Sequence, residues 1–189
     1  MQNLMLEKLL NYPIIAAVKN EEGLTKALDS PCQVVFVLFG DLCTIAEIVQ
    51  RIKAVGKLAI VHIDLIDGLA NREVSIHFLK GHTQADGIIS TKATLIRCAN
   101  TLGLITVARY FLLDSLSLQN AEKHTSATHA DFNEVLPGVM PKIIRRYIAK
   151  TSVPVIAGGM ILDKEDVVSA LSAGATAVST SQESLWEEE

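Results

Sequence analysis

The sequence predicts a compact (β/α)8 barrel of the TIM type, and three observations predict it. Eight short apolar runs rich in Ile, Val and Ala alternate with stretches of helical spacing. Strict alternation of this kind implies a parallel sheet, whose strands are buried on both faces and so read as near-continuous apolar runs. The 189-residue chain is 49% hydrophobic yet only 5% aromatic, so aliphatic side chains must fill its core. Eight strands imply closure. The competing arrangement is an open doubly wound sheet, favoured if a short run such as 87–90 is not a strand. The fold typically takes about 250 residues, so the loops here must be spare.

Taken in order, residues 1–11 place Leu4, Met5, Leu6, Leu9 and Leu10 beside Glu7 and Lys8. This predicts a short amphipathic helix closing one end of the barrel. It lacks the charged start, long apolar run and small-residue cleavage site of a signal peptide. Strands follow at 14–18, 34–39, 58–63, 87–90, 104–110, 132–136, 153–157 and 175–179. Helical patterns separate them at 24–28, 42–55, 73–79, 93–102, 116–124, 139–149 and 164–172. In the second of these, Ile45, Ile48, Val49 and Ile52 fall on one face. Gly56, Gly103 and Gly174 stand where helices should stop. Asp163 is a natural N-cap, with Asp166 three positions on as a partial capping box. The tail 186–189 is acidic and expected to fray, with Trp186 packing back. The whole of 1–189 reads as one barrel domain.

Composition excludes several function classes. A net charge of −4 argues against a general nucleic-acid binder, though not against a local basic patch. Cys32, Cys43 and Cys98 are odd in number, lack metal-ligand spacing, and read as small buried residues of a reducing compartment. No apolar run approaches the roughly 18 residues of a membrane span, so no membrane partner is expected and the cytoplasm is the default address.

The strand ends carry the chemistry. In a barrel the C-terminal ends of all strands share one face. Here they bring Lys19, His62, Asp64, Thr91, Lys92, Arg109, Asp114 and Glu134 together with Gly158, Gly159, Ser179, Thr180 and Ser181. Two adjacent strand ends of glycines and hydroxyls suit a phosphate group, which backbone N–H groups and a helix N-terminus can hold. Simple turn chemistry is the alternative. Lys19, Asp64, Lys92, Arg109 and Glu134 would face the organic part of the ligand, since carboxylates accept from hydroxyls and cations neutralise charge. The alternative is a salt-bridge network that merely holds the barrel. His62 reads as structural, and Asp114-Ser115 as a helix cap. Two function classes remain open: a phosphate-ligand sensor without catalysis, and a sugar-phosphate isomerase, epimerase or aldolase using Asp64 and Glu134 as acid and base and Lys19 as a Schiff-base amine.

Several motifs together resemble one family. They are Ile14-Ile15-Ala16-Ala17-Val18-Lys19, His62-Ile63-Asp64-Leu65-Ile66-Asp67-Gly68-Leu69 and Asp86-Gly87-Ile88-Ile89-Ser90-Thr91-Lys92. Arg109 with Phe111-Leu112-Leu113-Asp114-Ser115, Glu134-Val135-Leu136-Pro137-Gly138, Ala157-Gly158-Gly159 and the stretch from Gly174 to Ser181 follow, with Leu185-Trp186. On these the chain resembles the bacterial glycerol-3-phosphate-responsive antiterminators, the glycerol uptake operon antiterminator regulatory proteins, nearly end to end. The resemblance implies a barrel-like fold and glycerol 3-phosphate as effector. It further implies binding to the mRNA leader of a glycerol operon to prevent termination, with no catalytic residue, metal or cofactor. For the RNA face, the sequence offers Lys142, Arg145, Arg146 and Lys150 on the sixth helical pattern. Lys142, Arg146 and Lys150 are spaced four apart and share a helix face, and Tyr147 beside them is a candidate stacking surface. A solvated outer face is the alternative. Lys53 and Lys57 form a weaker second candidate.

Overall fold

The computed structural model describes residues 2–187, without the side chain of Ser126. Met1, Glu188 and Glu189, which belong to the expected N-terminal helix and acidic tail, lie outside the described residues. Eight parallel strands close into one barrel in sequence order: β1 (Ile14–Val18), β2 (Val34–Val37), β3 (Leu58–His62), β4 (Gly87–Ser90), β5 (Ile105–Phe111), β6 (Phe132–Leu136), β7 (Val155–Gly158) and β8 (Ala177–Thr180). The β8–β1 pairing, Ile15 opposite Ser179, completes the ring. The open-sheet alternative is therefore excluded; the short run 87–90 is a strand, paired on both sides.

The helices are α1 (Gln2–Asn11), α2 (Glu21–Asp29), α3 (Ile45–Ala54), α4 (Glu73–His82), α5 (Ala93–Thr101), α6 (Ser115–Thr128), α7 (Pro141–Ile148) and α8 (Lys164–Ser172). Gly56, Gly103 and Gly174 stop α3, α5 and α8 with φ of +76°, +69° and +102°, which a residue without Cβ adopts at little cost. Asp114 caps α6 in a full capping box with Ser117. Asp163 caps α8 by accepting from Asp166 N at 3.0 Å, but the Asp166 carboxylate reaches back to Leu162 N rather than to Asp163.

Strand residues alternate between two cores, as a period of two requires. Ile15, Val34, Phe36, Leu58, Ile60, Ile105, Val107, Phe132, Ile156 and Ala177 fill the barrel interior. The intervening residues pack outward against the helices. Met5 and Leu9 of α1 join the interior cluster, and Gln2 and Lys8 bond to Asp131 and Gln33 just before β6 and β2. So α1 plugs the N-terminal end of the barrel, as expected from its amphipathic pattern. The opposite end, at the strand C-termini, is left open.

Two smaller expectations are corrected. Cys43 is exposed and Cys98 half-buried; only Cys32 is buried, which pushes its thiol up to about 11. Lys57 is buried, because its ammonium donates to Ala27 O and Ser30 O at the end of α2, and Lys53 is tied to Asp86 at 2.7 Å. Neither is available as a basic surface. Trp186 packs back, as expected: its indole donates to Thr180 O at 2.9 Å, and its own carbonyl accepts from Tyr12 Oη at 2.8 Å. No helix among the described residues is long and apolar enough to cross a membrane.

Candidate ligand site

Strand alternation dictates what stands at the open end. Continuing the inward-facing series one step gives His62 on β3, Arg109 on β5, Glu134 on β6, Gly158 on β7 and Ser179 on β8. The uppermost interior layer is thus polar where those below it are apolar. Burying charge is costly unless it is paired, and here it is paired. Arg109 Nε donates to Glu134 Oε2 at 2.6 Å, and Ser179 Oγ donates to Glu134 Oε1 at 2.6 Å. The Glu134 side chain is 1% exposed and that of Arg109 10%. Arg109 and Glu134 are direct register partners across the β5–β6 ladder, so the sheet itself sets their approach.

A cavity of about 200 Å³ opens above this pair. Its wall includes Lys19, Arg109, Glu134, Gly159, Ser179, Thr180 and Ser181, with Leu38, Leu136 and Met160 among its apolar members. A larger, mostly apolar hollow lies by Tyr12 and α8, beside the start of β1.

Each expected site residue has a definite place. Lys19 is exposed at the mouth. Gly158 does not line the cavity: a Cβ there would stand 2.5 Å from Ser179 Oγ and 2.6 Å from Glu134 Oε1. Its missing side chain makes room for the buried carboxylate. Gly159 does line the cavity, at φ +76°. The Thr180 hydroxyl donates to Ile161 O at 2.8 Å and accepts from Gln182 N at 3.0 Å, so it ties two loops together. Ser181 is exposed on the rim. Asp64 and Lys92 stand outside the wall. Asp64 accepts from Ser90 Oγ and Thr91 N, both at 2.8 Å, holding the end of β4, and Lys92 is the N-cap residue of α5.

Two features carried little sequence signal. Met160 has φ +61°, a left-handed conformation that costs a non-glycine residue of order 1–3 kcal/mol and clusters at functional loops. It follows Gly159, and the pair curls the β7–α8 loop over the cavity, where Gly138 N donates to Gly159 O at 2.9 Å. His62 is 3% exposed, and burial together with the Arg109 charge pushes it down to about 4. Its Nδ1 meets no partner among the described residues.

Lys142, Arg145 and Arg146 of the basic run lie on the outer face of α7, but the helix ends at Ile148, so Lys150 stands in the turn after it and does not share the helix face expected of it. Lys142, Arg145, Arg146 and Lys150 are exposed and make no ion pair among the described residues, while Ile144 and Tyr147 point inward. Tyr147 is 0% exposed and its hydroxyl lies 2.6 Å from Thr125 Oγ1. It is a core residue and no stacking surface, because an inward-facing helix position cannot also present its ring to solvent.

Comparison with known proteins gives one consistent picture. A family described as glycerol-3-phosphate responsive antiterminator matches residues 14–186. A protein of Escherichia coli strain K12, "Uncharacterized protein YgcP", is 44% identical over 182 residues, spanning 96% of this chain and 95% of that one. The crystal structure of the glycerol uptake operon antiterminator regulatory protein from Listeria monocytogenes superimposes with a TM-score of 0.91 at 32% identity, covering 95% of this chain and 97% of the other. A glycerol uptake operon antiterminator-related protein from Thermotoga maritima gives 0.81 at 32% identity, covering 92% and 96%. Deoxyribose-phosphate aldolases at 14–17% identity share the fold alone.

Proposed function

The chain belongs to the glycerol-3-phosphate responsive antiterminator family, and from that membership and the cavity at the strand ends we propose that it is a metabolite-sensing antiterminator. In this reading it binds glycerol 3-phosphate in the cavity and the leader of a glycerol-operon messenger RNA on its surface, in the cytoplasm, and so prevents termination. The observation that carries the reading is the joint wall of Lys19, Arg109, Glu134, Gly159, Ser179, Thr180 and Ser181 around about 200 Å³. In this reading the phosphate sits toward the rim, beside Lys19, Gly159 and Ser181. The hydroxyls of the glycerol part sit deeper, against Arg109, Glu134 and Ser179. Asp64 and Lys92 stand outside this wall, at the end of β4 and the start of α5.

A sensor fits these residues better than an enzyme. Glu134, the candidate base, is held on both oxygens by Arg109 and Ser179. Lys19, the candidate Schiff-base amine, is exposed rather than desolvated, and desolvation is what activates such lysines. The other candidate carboxylate, Asp64, already accepts from Ser90 and Thr91.

The RNA face in this reading is the outer side of α7 and the turn after it, with Lys142, Arg145, Arg146 and Lys150 contacting phosphates. The effector acts only through a difference in affinity for RNA-competent and RNA-incompetent states. Filter binding of the leader, with and without glycerol 3-phosphate, tests the proposal. Ligand should tighten leader binding over that of an unrelated RNA. Affinity that is indifferent to ligand and to RNA sequence removes the antiterminator reading.

A further inference from the structure

We propose that Phe111 is a stacking platform for an unpaired RNA base, so that this protein takes single-stranded rather than paired RNA. The inference rests on the antiterminator reading and adds the form of RNA and the residue that selects it. Its first support is exposure. Of five Phe, three Tyr and one Trp, Phe111 alone is exposed, at 50%; the others are buried or half-buried. Leu113 at 80% and Leu116 at 64% follow it through the β5–α6 connection and give that connection an apolar outer surface. Apolar surface left together in water marks an interaction site.

The second support is the charge beside it. Phe111 ends β5 opposite Leu136, the last residue of β6, and Leu112 N donates to Leu136 O at 2.7 Å. The short loop after Leu136 leads into α7, which carries Lys142 in its first turn, so ring and cation stand at the same end of the barrel. Arg145 and Arg146 follow one turn down, at about 1.5 Å per residue. These cations are exposed and have no ion pair among the described residues. The carboxylate of the β5–α6 connection, Asp114, is turned to Ser117 N at 2.7 Å as a helix cap. Cations beside an exposed ring fit a polyanion with flat apolar faces. Single-stranded RNA offers both, phosphates to the cations and a base face to the ring. A duplex keeps its base faces stacked inside. A second copy docked face to face would bring the α7 cations together.

Fluorescence anisotropy on the intact protein, with glycerol 3-phosphate present, tests this with a short single-stranded RNA of mixed sequence and the duplex it forms with its complement. Wild type should favour the single strand. Phe111→Leu keeps an apolar side chain but removes the ring. It should weaken the single strand at least about fivefold and leave the duplex within about twofold. The slope of log affinity on log salt should stay as in wild type, because no phosphate contact is lost. Phe111→Trp, with a larger ring, should hold or tighten single-strand binding, and it serves if the Leu variant does not melt cooperatively. Equal losses for both RNA forms, a flattened slope, or no loss in Phe111→Leu overturns the stacking role. Phosphatidylglycerol vesicles that bind wild type and Phe111→Leu alike, with the single strand bound no better than the duplex, give this face to a lipid surface and overturn it too. Self-association that Phe111→Ser disperses, in place of single-strand binding, does the same. Binding of neither RNA form, nor of the operon leader, overturns the antiterminator reading itself.

Discussion

His62 stands in the barrel interior within electrostatic reach of both Arg109 and Asp64, and it is held neutral by burial. Its folded value of about 4 lies below the ordinary 6.5, so on acidification the unfolded chain takes up this proton before the folded one does. The stability is fully present above pH 6.5 and is lost as the pH falls toward 4. A gap of this size corresponds to about 3 kcal/mol. Urea melts at pH 7, 5.5 and 4.5 should show that loss, and His62→Gln should reduce it by a similar amount relative to wild type. Parallel curves for the two proteins would mean that His62 does not carry the dependence. At this scale the sequence was only half legible. It placed polar residues at the strand ends, because they interrupt apolar runs. It could not say which pair with which: that Glu134 takes Arg109 and Ser179 while Asp64 turns to Ser90 and Thr91 follows from register and alternation, which a linear pattern does not contain. The role of Gly158 was hidden for the same reason, since its neighbours in space come from β6 and β8.

Among the elements, α7 follows a loop tied to the cavity wall. Leu136, at the end of β6, lines the cavity, and the loop that follows is pinned when Gly138 N donates to Gly159 O. Pro141 then opens α7, whose inner residues Ile144 and Tyr147 are fixed in the core while the cations face out. Helical spacing alone made the shared face of Lys142 and Arg146 legible; it misplaced Tyr147, because adjacent positions on a short amphipathic helix lie about 100° apart and only packing decides which face is inner. If the α7 face holds RNA phosphates, Arg146→Glu should weaken leader binding several-fold and flatten the slope of log affinity on log salt by about 1, with glycerol 3-phosphate affinity unchanged. Filter binding over a salt series beside ligand calorimetry checks both halves. Undiminished RNA affinity would return α7 to a plain solvated face.

For the molecule as a whole, the cavity lies across the seam where the barrel closes. Its wall draws on Lys19 beyond β1, Arg109 of β5, Glu134 of β6, Gly159 beyond β7 and Ser179 of β8, and β8 pairs with β1 to complete the ring. Strand alternation made the closed barrel legible in the sequence, but the seam's coincidence with the cavity is a property of closure. A ligand bound there contacts the first strand and the last together, so it favours the closed barrel over any state in which the two have parted. Binding to the folded chain alone stabilises it by about 2.7 kcal/mol at a ligand concentration one hundred times Kd. For a chain of 189 residues this should raise Tm by about 5–10 °C. Gly159→Val gives the control. The glycine holds φ +76°, and a Cβ there would lie 3.0 Å from Leu136 Cδ2, so valine must move the loop that frames the rim without entering either core. Differential scanning calorimetry with and without glycerol 3-phosphate should show the rise in wild type and little or none in Gly159→Val, each melting in one cooperative transition. An equal rise in both would place the ligand away from the Gly159 loop, and no rise in wild type at saturating ligand would separate this barrel from its expected effector.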